Sequence, residues 1–285
     1  MPELPEVEIA RRTLERWFVG QSVARAEASK TRIFRGAKPK VFEAIRGPLT
    51  RAERKGKYLL LTFGEQGVLA HLGMTGKFLK RPSAEEVPYS RARFVLESGE
   101  VIHFRDPRMF GRIEPAPAAK LWDLQVIKEL GVDPILDGLT VPQLKAALGK
   151  SKQPLKIALM DQNRVTGLGN IHAAEALFRA KLNPARVPTS LTDAEWARLC
   201  DAIVAAIAFG LSEQEADEIQ YVEEPGTANP FLVYGKAGEP CSVCGTVIRQ
   251  SVQGGRSTYF CPGCQPAKRP PRAKKKPAQK TRSRR

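Results

Sequence analysis

The chain has 285 residues, 42% of them hydrophobic, and its 46 Lys and Arg against 30 Asp and Glu give a formal charge of +16. That composition excludes a disordered chain, allows two domains with cores of their own, and has the charge of a phosphate-binding surface. Ten of the basic residues lie between Ala267 and Arg285, a stretch without an acid, so the rest carries only +6. No run of about 18 apolar residues is present to cross a membrane, and Glu3, Glu6 and Glu8 stand where a signal peptide would be basic and then apolar. A cytosolic protein is expected, with its five cysteines reduced and available to a metal.

The predicted elements begin with a helix from about Glu3 to Val19. Residues 22–114 then read as short β-branched or aromatic runs between turn signals, among them Tyr58 to Phe63, Gly67 to His71, Arg93 to Leu96 and Val101 to Phe104, which predicts antiparallel β structure. From about residue 120 the pattern turns helical. Thr192 and Glu195 make a capping box ahead of Trp196, Leu199, Ile203 and Ile207 at helical spacing, ending at Gly210. A Gly- and Cys-dense region follows from Tyr234, and a Pro-Lys-Arg tail from Ala267 is expected to be disordered. There is no internal repeat.

Cys241-x-x-Cys244 and Cys261-x-x-Cys264, sixteen residues apart, have the spacing of a tetrahedral zinc site. Four thiolates leave the ion no open position, so one structural Zn2+ is expected, with Gly245 and Gly263 permitting the turns; a redox pair is the alternative. Cys200, in the helix with Ile203, reads as a core thiol. Between the pairs, Gly254-Gly255-Arg256 reads as a hairpin tip whose arginine can fork onto a phosphate. A protein-docking module remains open for this finger taken alone.

Between two predicted helices, Leu155 to Asp161 and Ile171 to Ala180, the loop Val165-Thr166-Gly167-Leu168-Gly169-Asn170 places free amide N–H groups where an anion is favoured, and a phosphate could sit there. An ordinary connector is the plainer reading, and Lys156 nearby adds little. The N-terminus, Met1-Pro2-Glu3-Leu4-Pro5-Glu6-Val7-Glu8, reads plainly as a helix start. It also has a chemical reading. Methionine before proline is normally trimmed, and the secondary amine of Pro2, with an α-amino pKa of roughly 8, is then nucleophilic and can form a Schiff base on a sugar carbon beside Glu3.

Pro2 to Glu8, Gly56-Lys57-Tyr58-Leu59, His71-Leu72-Gly73-Met74-Thr75-Gly76, Asp106-Pro107-Arg108-Met109-Phe110-Gly111, Gly167-Leu168-Gly169-Asn170-Ile171 and the four cysteines with Arg256 stand in one order. In these motifs the chain resembles the formamidopyrimidine-DNA glycosylases over residues 2–265, with Leu4 favouring that branch over the endonuclease VIII branch. The resemblance implies an α+β fold: an N-terminal helix with an antiparallel β-sandwich (1–118), a helix-two-turn-helix domain (119–232), a zinc-finger hairpin (233–266) and the tail (267–285). It implies a monomer acting on damaged double-stranded DNA, with the duplex in the cleft between the domains. Pro2 would attack C1′ and displace the base, after which β- and δ-elimination cut the backbone. Glu3 would handle protons at the sugar, Lys57 would assist β-elimination or hold a phosphate, and Arg256 would clamp phosphate and assist δ-elimination.

Extruding a nucleotide leaves a hole to be filled. Met74 and Phe110 suit wedges and Arg108 suits the widowed base, although core packing or surface pairing would explain the same residue types. Lys57 and His71 also have plain readings, as a surface lysine and a satisfied polar residue. By resemblance, His71, Lys156, Asn170 and Arg256 pinch the phosphates around the flipped nucleotide. The match departs at Met109, where a basic residue is usual and one phosphate contact would be lost, near Tyr89 and Arg91, where His residues are usual and Arg91 would replace another contact, and at His172, where Tyr is usual. It departs most between Ser212 and Pro230, where Glu213, Glu215, Asp217, Glu218, Glu223 and Glu224 surround Tyr221 and Gly226-Thr227. Such an acidic lid is expected to repel phosphate and to offer carboxylates to the base. Oxidised purines are the default substrate. Oxidised pyrimidines or abasic sites are the alternative, as is a damage binder without catalysis.

Overall fold

The computed structural model describes residues 2–213 and 218–267; the basic tail from Lys268, with Glu215 and Asp217, lies outside them. Helix α1 (Leu4–Phe18) opens the chain, and a β-sandwich follows. Its strands are β1 (Ser22–Ala28), β2 (Gly47–Pro48), β3 (Arg51–Lys55), β4 (Tyr58–Phe63), β5 (Gln66–His71), β6 (Lys77–Pro82), β7 (Ser90–Leu96), β8 (Glu100–Arg105) and β9 (Arg112–Pro117), with the short helix α2 (Pro39–Glu43) between β1 and β2. One sheet has the order β2-β1-β7-β8-β6 and the other β3-β4-β5-β9, every pairing antiparallel. Val7, Leu14 and Phe18 of α1 join Leu59, Leu61, Phe63, Phe94, Ile102 and Phe104 of both sheets in one core.

The apolar run in β4 does not alternate, because both faces are covered. Leu59 and Leu61 face the sandwich, while Leu60 and Leu69 lie under Leu121 of a 3-10 turn (Ala118–Asp123) and Ile127 of α3 (Gln125–Lys128).

The helical part comprises α4 (Val141–Leu148), α5 (Leu155–Leu159), α6 (Asn170–Arg179) and α7 (Asp193–Ser212), with the expected Thr192 capping box ahead of α7. Leu4, although part of α1, sits in this second core with Leu159, Leu168, Leu177 and Ile203. Cys200 is buried there and its Sγ donates to Leu139 O. The strands β10 (Arg249–Gln253) and β11 (Arg256–Phe260) form the finger hairpin, packed on Ala174 and Phe178 of α6.

A buried charge network joins the sandwich to the segment leading into the helices. Arg54 in β3 donates to Glu8 Oε2 at 3.1 Å, to Asp133 Oδ2 at 2.6 Å and to Asp133 Oδ1 at 3.1 Å; Gly56 N also donates to Asp133 Oδ2. Burial alone would raise the pKa of Asp133, but the Arg54 hydrogen bonds and charge and the Leu136 and Gly56 N–H groups hold it below the usual range. Removing the cation would leave the buried Asp133 carboxylate without its counter-ion, whereas Glu8 would keep Arg11 and Arg12. Arg54→Met should therefore lower the unfolding free energy by about 3–5 kcal/mol, read from the urea midpoint, whereas Arg51→Met at the exposed start of β3 should change it by less than about 0.5 kcal/mol.

Candidate active site

The glycine loop holds an anion, but not the expected phosphate. Glu3 Oε2 accepts from Gly169 N at 2.8 Å and His172 N at 3.0 Å, and Oε1 accepts from Ile171 N at 2.8 Å. The carboxylate thus fills the N-terminus of α6, where the free N–H groups and the helix dipole favour negative charge. His172 Nδ1 lies 2.8 Å from Oε2, and both side chains are wholly buried. Gly169 is required by this approach, since a Cβ there would stand 2.4 Å from the Glu3 carboxyl. Leu4 N donates to Gly167 O, and Glu3 N donates to Glu6 Oε2, which fixes the chain on both sides of Glu3. Burial pushes the Glu3 pKa up, but the hydrogen bond and charge of His172, the charge of Lys57 and the Ile171 N–H outweigh it and hold the pKa at about 2.

Beside this seat, Pro2, Lys57, His71, Gly169 and Arg256 line one cavity of about 310 Å³. Lys57 occupies the two-residue β3–β4 turn. Burial lowers its pKa, Glu3 and Glu6 raise it, and Arg256 lowers it, for a net fall. The His71 ring meets Tyr58 at a tilt, with centroids 4.8 Å apart, and its Nδ1 accepts from Gly73 N at 3.0 Å, leaving Nε2 as the N–H donor. Burial, then the charges of Lys57 and Arg112, depress its pKa to about 4, so the ring is neutral at physiological pH. Gly254 and Gly255, both at positive φ, make the tight turn that brings Arg256 to the exposed hairpin tip. Asn170 begins α6, and its Oδ1 is buried without a partner.

Lys156 does not lie in the cleft surface as expected. It is fully buried, and its Nζ donates to Ser257 O at 2.6 Å and Thr258 Oγ1 at 2.9 Å. It ties α5 to the finger and is not free for a phosphate. Burial lowers its pKa to about 8 against a raising contribution from Glu3.

Met74 and Phe110 are 38% and 46% exposed, outside the core, and Arg108 lies over the Phe110 ring at 4.8 Å. Met109, at φ 54°, packs on the sandwich core instead, and its carbonyl accepts from Arg32. Arg32 is a cation that motif reading passes over. The Arg91 guanidinium donates from Nε to Asp106 O at 2.9 Å and from Nη2 to Pro107 O at 3.5 Å, which braces the loop carrying Arg108 and Phe110.

The four finger sulfurs lie within 4.8 Å of one another, with Cys241 to Cys264 at 3.9 Å and Cys244 to Cys261 at 3.4 Å. A tetrahedron with Zn–S bonds of about 2.3 Å needs edges of roughly 3.8 Å, so the thiolates fit one closed, structural zinc. Gly245 supplies the positive φ expected of it, whereas Gly263 is required by space, its Cβ position lying 2.6 Å from Thr246 Oγ1.

Three family descriptions match the chain in order: the Formamidopyrimidine-DNA glycosylase N-terminal domain over residues 1–113, the Formamidopyrimidine-DNA glycosylase H2TH domain over 130–220, and the zinc finger found in FPG and IleRS over 238–267. The chain belongs to the formamidopyrimidine-DNA glycosylase family. A formamidopyrimidine-DNA glycosylase of Pelotomaculum thermopropionicum is 39% identical over 277 residues, covering 94% of this chain and 100% of the relative. The crystal structure of the MutM (Fpg) protein of Thermus thermophilus superposes with a TM-score of 0.78 at 35% identity, covering 93% and 98%. A Lactococcus lactis Fpg variant bound to DNA containing Fapy-dG gives 0.83 at 30% identity, covering 93% and 100%, and the wild-type protein has been solved on DNA containing an oxidised pyrimidine.

Within the acidic segment, two of the carboxylates expected to repel phosphate are paired, while Glu215 and Asp217 lie outside the described residues. Glu218 pairs with Arg81, and Glu224 with Lys77 at 2.9 Å, so both carboxylates are neutralised by β6. Ile219 and Tyr221 enter the sandwich core, and Tyr221 OH donates to Gly76 O. Behind the segment lies a cavity of about 220 Å³ lined by Glu6, Ile171, Gln220, Tyr221, Thr227 and Phe231 among others.

Glu3 has a folded pKa depressed from 4.5 to about 2, so its contribution to stability is complete above about pH 4.5 and is lost as pH falls towards 2. In Glu3→Gln that part of the acid dependence should vanish from urea unfolding measured between pH 5 and 2.5. Stripping the zinc with a strong chelator should collapse the hairpin and abolish DNA binding in fluorescence anisotropy, with recovery on adding zinc back.

Proposed function

We propose that this protein excises oxidised purines, 8-oxoguanine and formamidopyrimidines, from duplex DNA with Pro2 as nucleophile, and then cuts the abasic strand by β- and δ-elimination. The observation that carries this reading is the meeting of Pro2, Lys57 and Arg256 in one cavity beside the seated Glu3. Once Met1 is removed, the Pro2 nitrogen attacks C1′, the base departs, and an imine forms. Burial lowers the Lys57 pKa and so eases loss of its proton, which suits Lys57 to take the C2′ proton as the 3′ phosphate leaves. Arg256 clamps the phosphate lost in δ-elimination.

His71 offers a neutral N–H to the backbone and Asn170 an amide, while Met74 and Phe110 fill the vacated stack and Arg108 meets the widowed base. Arg91 and Lys156 act indirectly, by bracing the wedge loop and the finger. The cavity behind residues 218–231 takes the extruded base, with Ile171 and Phe231 against its faces. The acceptors of Glu6 and Gln220 suit the N–H-rich edge of an oxidised guanine. We divide the chain at residues 118, 232 and 266 and place it, as a monomer, on DNA in the cytosol.

The mature protein incubated with lesion duplexes and borohydride should give a covalent adduct on 8-oxoguanine, and Pro2→Gly should give none. A panel that also holds an oxidised pyrimidine and an abasic site ranks the substrates, since the Lactococcus lactis relative was solved on an oxidised pyrimidine. Tight binding without an adduct on any lesion would leave a non-catalytic damage binder.

A further inference from the structure

His172 is fully buried, and among the described residues the one side-chain acceptor within its hydrogen-bond reach is Glu3, at Nδ1. Its Nε2 has no partner among them. A Cβ added to Gly210 would stand 2.5 Å from that nitrogen, and Phe231 meets the ring edge-on at 5.9 Å. The charged groups bearing on it are Glu3 and Glu6 from the start of α1 and Glu175 from α6 itself. Glu175 is occupied by the N–H groups of Leu232, Val233 and Tyr234, while α7 contributes Gly210 and the segment 218–234 the apolar Phe231. The cations Lys57 and Lys156 act on Glu3 instead.

We propose that His172 is a positioning residue for Glu3: its ring meets the seated carboxylate through Nδ1 and, when protonated, is its buried counter-ion, which keeps Glu3 ionised and seated on α6, so that Glu3 works in the reaction as an anion and not as an acid. This rests on the reading that Glu3 takes part in catalysis. Burial opposes the imidazolium charge, but the hydrogen bond and charge of Glu3, then Glu6 and Glu175, raise the His172 pKa above its ordinary 6.5. Without that partner, burial of Glu3 is opposed by the helix N–H groups and distant lysines alone, and its carboxyl becomes easier to protonate.

The chain has only three histidines, so ring nitrogen-15 NMR on the wild-type protein can follow each one. His172 should titrate above 6.5 and, in Glu3→Gln, below it; a ring already neutral at pH 6 in the wild type, or one indifferent to Glu3→Gln, overturns the proposal. In single-turnover excision the ratio of His172→Phe to wild type should fall about tenfold from pH 8 to pH 5. His172→Asn, which keeps a donor near the Nδ1 position but no charge, should fall less. A His172→Phe ratio constant across pH would mark a merely structural residue and overturn the proposal. The NMR titration does not depend on turnover, so its failure is distinct from an absent borohydride adduct.

Discussion

A carboxylate with no exposed surface is tolerable only where donors replace all of its water, and Glu3 finds four on one turn of α6. None of those donors belongs to the domain that carries Glu3. The carboxylate can therefore be seated only when α1 has docked against the helical part, and Leu4, placed in the helical core by the same step, makes that docking hydrophobic as well as electrostatic. Pro2 precedes Glu3 by one peptide unit, so the seat that buries the carboxylate also fixes the nitrogen. The Arg54 network with Glu8 and Asp133 repeats the arrangement further along α1. Active-site geometry and domain docking are thus one event.

The opposite wall of the cleft depends on metal. So short a hairpin has no core of its own beyond what it shares with Ala174 and Phe178, and zinc supplies the closure that burial cannot. Lys156 then carries the position of the hairpin back to α5 through Ser257 and Thr258, and Arg256 inherits it. A lysine buried in this way is a poor phosphate ligand but a good strut, because its three donors point in several directions from one stem.

Much of this was legible in the chain. Strand runs, capping box, cysteine spacing and ordered motifs carry the fold and the cleft residues, since each is a local signal with a local physical cause. The misses are those in which one residue type can serve two partners. An anion at the start of α6 follows from the Gly167-Leu168-Gly169 loop, but whether a phosphate or a carboxylate fills it depends on which segment docks there. Lys156 and Arg91 look like phosphate cations until the burial of one and the carbonyl partners of the other are known. Glu218 and Glu224 look repulsive until Arg81 and Lys77, far away in sequence, are found opposite them. Arg54 had a signal that motif reading passed over: in β3 it shares a strand face with Ala52, which turns inward.

The distribution of charge around the cavity has its own logic. A nucleophilic amine must be neutral to attack, so cations nearby help it and an unpaired anion hinders it. Around the cavity His71 is neutral, burial lowers the Lys57 pKa, and Arg256 brings a permanent cation at the tip of the finger. In the proposed reaction Glu3 is an anion needed once positive charge develops at the sugar yet unfavourable beforehand. Pairing with His172, buried with it at the start of α6, would confine its field to short range, so that in that reaction the anion acts on the reacting carbon more than on the resting amine.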